Sequence, residues 1–162
     1  MAHSNIDYIN CVKNHIIFNK TFIYNLTAYS FGNLSSSMII EIFKDGRPFS
    51  HFIEKWLSVN FQLTHITGCK SYDFVDSNDE NIKYDQKTFT SRGCKFMPSN
   101  MIGEGRKFDK VIFENKAKNL NYIIVSNVNF PEIKIKFVKG TDLINDYPNG
   151  SIPSKDLIEF FN

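Results

Sequence analysis

Apolar residues recur along this chain in two rhythms, and the change between them falls near residue 61. Before it, Phe49, Phe52, Ile53, Trp56 and Leu57 follow the i, i+3, i+4, i+7, i+8 spacing that places side chains on one stripe of a helix. Pro48 suits the first turn of that helix, where its missing N–H would have no partner anyway. A shorter helix is predicted just upstream, with Met38, Ile39, Ile42 and Phe43 on one side and Gly46 as its stop. Residues 5–31 also carry apolar positions at roughly helical spacing, Ile9, Val12, Ile16 and Ile17 among them. Gly32 and Ser35-Ser36-Ser37 end that pattern.

From residue 61 the period becomes two. Residues 61–67, 71–76 and 82–90 read as three strands of a meander, with the polar run Ser77 to Asn81 as a turn. Residues 91–107, punctuated by Gly93, Pro98, Gly103 and Gly105, read as a long surface loop. A helix is predicted from about Phe108 to Asn119, with Phe108, Val111 and Ile112 facing inward. Tyr122 to Val128 is an apolar run of strand length, suited to a buried strand. Glu132 to Val138 alternates, with Ile133, Ile135 and Phe137 opposed to Lys134 and Lys136, lysines that would protect an edge strand from pairing with another sheet. Ser154 is placed to cap a last short helix ending near Phe161. The order implies an α/β protein, a mixed central β-sheet flanked by helices. One domain covers residues 1–162: a helical N-terminal segment to about 46, a core over about 47–140, and a C-terminal extension over 141–162.

Composition narrows the class. Of the 162 residues, 42% are hydrophobic and 15% aromatic, enough for a bulky core without disulfides. Cys11, Cys69 and Cys94 are odd in number and none pairs at CxxC spacing, which argues against a zinc site or disulfide framework and for a reducing, cytoplasmic setting. Cys94 reads as an ordinary free thiol, not a nucleophile. No Lys or Arg precedes Ile6, and no apolar run is long enough to span a bilayer, so neither a signal peptide nor a membrane segment is expected. A net charge of +2 neither demands nor excludes a nucleic-acid partner; the distribution of charge matters more.

The chemistry sits on the second and third predicted strands. Asp85 and Lys87 share a face because residues i and i+2 of a strand point the same way, and the meander brings Asp73 beside them. Charges are scarce within strands, and two adjoining carboxylates repel unless a cation joins them. Mg²⁺ favours one or two carboxylates with waters and phosphate oxygens. Asp73, Asp85 and the backbone carbonyl of Gln86 are the candidate ligands, and Lys87 is placed to position a water. Asp76 reads as a turn residue, Glu54 as a solvated helix glutamate, and His51 and His65 as ordinary histidines.

Asp73, then twelve positions on Asp85-Gln86-Lys87, resembles the PD-(D/E)XK nuclease signature. The element order from about Pro48 to Val128 is similar to that superfamily's αβββαβ core, and the local string is similar to that of small type II restriction endonucleases. Tyr72 stands where the signature has proline, and Asp85 where glutamate is more frequent. The resemblance implies a restriction-endonuclease-like fold and a Mg²⁺-dependent endonuclease, commonly a homodimer, that hydrolyses phosphodiester bonds in double-stranded DNA. The N-terminal segment, about residues 5–45, is then the candidate dimer interface. In the loop after the third strand, Arg92, Arg106 and Asn100 are candidate base contacts, and Lys95 and Lys107 candidate phosphate contacts. Two alternatives remain: a junction or repair nuclease with the same chemistry, and a non-catalytic DNA-binding or interaction protein.

Overall fold

The computed structural model describes residues 12–26, 31–68 and 71–162. Cys11, Cys69 and Ile9 lie outside the described residues. The chain is a mixed α/β protein whose centre is a six-stranded sheet. In chain order the elements are β1 (Thr21–Asn25), α1 (Ser36–Lys44), α2 (Gly46–Asn60), β2 (Leu63–His65), β3 (Phe74–Asp76), β4 (Lys83–Phe89), β5 (Cys94–Lys95), α3 (Lys110–Lys118), β6 (Asn121–Ser126), β7 (Glu132–Lys139), α4 (Gly140–Asp146), β8 (Ser151–Ile152) and α5 (Leu157–Phe160). The sheet order is β1-β7-β6-β4-β3-β2, with β4 and β6 parallel and every other neighbour antiparallel. The run α2-β2-β3-β4-α3-β6 is thus an αβββαβ succession, with β5 inserted before α3.

Each sheet face has its own core. On one, Phe49, Ile53 and Leu57 of α2 pack on Phe74, Tyr84, Ile123, Ile135 and Phe137. On the other, Phe113 and Ala117 of α3, Leu143 of α4, and Phe160 and Phe161 pack on Phe89, Tyr122 and Ile124. The predicted stripe of α2 is the buried one, since its apolar spacing leaves those three side chains fully covered. Ile133, Ile135 and Phe137 are likewise completely buried.

Several expectations from the sequence change here. Residues 12–26 are not helical: β1 joins the central sheet beside β7, with Phe22 opposite Ile135, so this segment is part of the core. The β-branched residues there favour a strand, and helical spacing over a few apolar positions does not override them. Gly46 does not stop α1; Asp45 both ends α1 and caps α2, its carboxylate accepting from the Arg47 N–H at 2.9 Å. In α3 the buried residues are Phe113 and Ala117, whereas Val111 and Ile112 are 67% and 58% exposed and Phe108 also faces solvent. Lys134 and Lys136 are not on an edge, because β7 lies between β1 and β6. Lys136 instead donates to the Phe160 carbonyl and lies over that ring. Ser154 makes no side-chain cap.

The 91–107 segment is less loop-like than its composition implies. β5 pairs with β8, and Cys94, Phe96 and Met101 are buried. Gly93 is required there: at φ 93° it adopts a left-handed backbone, and a Cβ would stand 2.4 Å from the Ile152 carbonyl oxygen.

Candidate active site

β3 and β4 are paired over Phe74–Tyr84 and Val75–Lys83, and the regular ladder stops one residue before Asp73 would face Asp85. The Asp73 N–H donates to the Tyr84 carbonyl at 2.9 Å, while its C=O accepts from the Ile66 N–H at 2.8 Å on the opposite side. In a regular strand one residue's N–H and C=O reach the same neighbour, so the backbone twists at Asp73. Beyond that point β3 leaves β4. The Gln86 N–H, which a continued ladder would have satisfied, is taken by the Asp73 carboxylate at 2.8 Å. That bond fixes the orientation of the Asp73 side chain. By the same rule the Gln86 carbonyl projects toward this vacated edge.

Asp85 and Lys87 project from β4 on the α3 side of the sheet, opposite Tyr122 and Ile124 of β6. Lys87 Nζ is 3.0 Å from Asp85 Oδ2. Asp85 is only 6% exposed. Burial pushes its carboxyl up to about 6; Lys87 works against that rise, and the Asp73 carboxyl, within hydrogen-bond reach, adds to it. Burial also raises the neighbouring Tyr122 hydroxyl, with Asp85 contributing, and pushes the Cys94 thiol up to about 12. A thiol so raised is protonated at neutral pH and is a poor nucleophile.

The three residues singled out from the sequence therefore converge on Asp85, which pairs with the Lys87 ammonium on one side and meets the Asp73 carboxyl on the other. That leaves a net negative, largely desolvated site, which a divalent cation would neutralise. Among the described residues no group of three His, Cys, Asp or Glu side chains stands at metal-binding geometry. The groups that could hold an ion are two carboxylates and the Gln86 carbonyl, a set that would fit Mg²⁺ because that ion keeps several waters.

The remaining candidates separate. Asp76 accepts from the Asn78 N–H at 2.8 Å, a turn role. Glu54 pairs with His65 at 3.3 Å, and His65 packs on Phe74, on the sheet face away from Asp85. Of the loop residues, Arg92 forms the exposed tip of a tight turn closed by reciprocal Thr90–Gly93 bonds of 3.0 and 2.9 Å. Lys95 is exposed on β5 between buried Cys94 and Phe96, and Phe96 meets Tyr122 edge to face, bringing this strand back toward Asp85. Asn100 and Lys107 are exposed, and the Arg106 guanidinium donates to the Ser99 carbonyl, closing the loop between them.

Sequence reasoning missed the Asp73–Gln86 bond and the polar chain behind Gln86. The Ser50 hydroxyl spends its proton on the Gly46 carbonyl at 2.7 Å. Thr88 must then donate to Ser50 across 3.0 Å, and Gln86 Nε2 donates to Thr88 at 3.2 Å. The i, i+2 spacing of Gln86 and Thr88 was visible, but their partner lies on α2 and only folding identifies it. No helix among the described residues is long and apolar enough to cross a membrane. No protein-family profile, curated protein or solved structure matches this chain.

Proposed function

We propose that this chain is a Mg²⁺-dependent endonuclease of the PD-(D/E)XK type that hydrolyses phosphodiester bonds in duplex DNA, acting as a site-specific restriction enzyme and as a homodimer. The observation that carries the reading is the break in the β3–β4 ladder, where Asp73, Asp85 and Lys87 meet. The αβββαβ succession around it supports the same reading.

Asp73 and Asp85, with the Gln86 carbonyl, would hold the ion. An ion held there would supply Lewis-acid chemistry, polarising the scissile phosphate and lowering the pKa of an attacking water. Lys87, tethered by Asp85 at 3.0 Å, is placed to orient a water for in-line attack on phosphorus. Asp73 is kept in place by the Gln86 N–H, so the acceptor geometry exists before substrate arrives. A proton bound to Asp85 must leave before a cation can occupy the site.

The test is incubation of the purified chain with Mg²⁺ and long duplex DNA. Discrete fragments are expected, with binding but no cutting in Ca²⁺. Absence of any cleavage across Mg²⁺ and Mn²⁺ overturns the reading, and cleavage confined to branched DNA replaces sequence specificity with structure specificity. Sedimentation with and without DNA is expected to give a dimer, since one site per chain cuts one strand per encounter.

A further inference from the structure

At the far end of β4 from Asp85, the β4–β5 turn faces the junction of α1 and α2. Between them lies a cleft of about 460 Å³ lined by Lys44, Asp45, Arg47, Thr90, Ser91 and Arg92, with Gly46 at its base. Three cations converge from two segments far apart in sequence. None of them forms an ion pair among the described residues. Asp45, the single carboxylate, is already spent as the α2 cap on the Arg47 N–H. The cleft walls are fixed. Asn127 donates to the Phe43 and Lys44 carbonyls, each at 3.1 Å, and pins the end of α1. Gly93 sets the turn that presents Arg92, and a Cβ on Gly46 would meet the Thr90 methyl at 3.3 Å. The three exposed cations repel one another across the cleft, and an anion between them relieves that repulsion.

Resting on the nuclease reading above, we propose that this cleft is a second phosphate-binding site, which takes a backbone phosphate of the DNA away from the cut, with Lys44, Arg47 and Arg92 as its contacts. From Asp85 to Thr90 the strand advances about 17 Å, which is roughly five phosphates along one DNA strand. Asp85 faces the α3 side of the sheet and the α1–α2 junction lies on the other, so a duplex that touches both would pass across this end of β4, within the length of about one helical turn. The two ends are joined by the Gln86–Thr88–Ser50–Gly46 hydrogen-bond chain, so the cleft is held at a fixed offset from the acids. Contacts of this kind set register on the duplex without reading its sequence.

The experiment measures the salt dependence of duplex binding in Ca²⁺, for the full chain and for Lys44→Ala/Arg47→Ala/Arg92→Ala, alongside cleavage by the unaltered chain in Mg²⁺. The triple variant is expected to lower the slope of log K against log salt by about two to three units, equally for cognate and scrambled duplexes. Arg47→Lys/Arg92→Lys should keep the slope. If the triple variant fails to melt cooperatively, Arg92→Ala alone, at the exposed tip, should lower it by about one unit. An unchanged slope while the unaltered chain cuts DNA overturns the cleft and leaves the nuclease reading standing. Binding with the expected slope change but no cutting overturns the nuclease reading and keeps the cleft. A chain that neither binds nor cuts duplex overturns both.

Discussion

The two halves of the central sheet are built by opposite rules. β6 and β7 are paired over an unbroken ladder from Asn121–Lys139 to Ser126–Lys134, and Ile123, Val125, Ile135 and Phe137 fill one face completely. β3 and β4 are paired at two positions only, and the strand beyond carries Asp85, Gln86 and Lys87 where the other half carries Ile and Val. The first half stabilises by covering apolar surface and pairing its backbone along a continuous ladder. The second leaves an edge unsatisfied and fills it with a carboxylate. An interrupted ladder exposes an N–H and a C=O at fixed positions, and those are the groups that can orient acids, a cation and a phosphate. Stability and chemistry are thus assigned to different strands of one sheet.

The largest expected effect separates the halves directly. Asp73→Ala, Asp85→Ala and Lys87→Ala should each reduce DNA cutting to background while cooperative melting persists; wild-type turnover in any one of them would refute the site. On the opposite half, Phe137→Ala should do the reverse. This completely buried ring contacts Phe61 and Tyr84, and its removal is expected to cost about 3–5 kcal/mol in denaturant unfolding, with cutting retained by the folded fraction. If Phe137→Ala removed activity without loss of stability, the division of labour would be wrong.

A third effect is a pH signature confined to the β3–β4 half. The Asp85 carboxyl is held up at about 6 from 3.8. The folded state therefore favours its protonated form. Stability is greatest below the unfolded value, falls as pH rises through 6, and is level above, a change on the order of 3 kcal/mol. Asp85→Asn should remove that slope from unfolding curves taken between pH 4 and 7. Mg²⁺ needs the ionised form, so its protection against thermal unfolding should grow from pH 5 to 7.5 and be missing in Asp85→Asn. Protection that is equal at both pH values would place the ion elsewhere.

The smallest effect concerns the loop that begins at this half. Arg106 uses its guanidinium partly on the Ser99 carbonyl, and its remaining donors are free to make a bidentate base contact. Arg106→Ala is expected to lose about 1–3 kcal/mol of preference for a cognate over a scrambled duplex. Lys107→Ala should weaken both in parallel, because an ammonium on phosphate reads no base. A cognate-to-scrambled ratio unchanged by Arg106→Ala would remove this loop from the recognition surface.

Local pattern carried a large part of this protein. The stripe from Phe49 to Leu57 fixes α2, the alternation of Ile133, Ile135 and Phe137 fixes the buried face of β7, and the i, i+2 spacing of Asp85 and Lys87 puts both on one side of β4, because side-chain periodicity is a property of the backbone itself. Tertiary contacts decided the rest. Whether residues 12–26 form a helix or a sheet strand depended on the free edge of β7, and which side of α3 faces inward depended on Phe96, which packs against Phe113. Lys134 and Lys136 became interior to the sheet only when β1 covered β7. The meeting of Asp73 with the Gln86 N–H, and of Lys44 and Arg47 with Arg92, joins positions far apart in sequence. No pattern within one segment records which distant backbone group is left without a partner, so these pairings exist only once the sheet has closed around them.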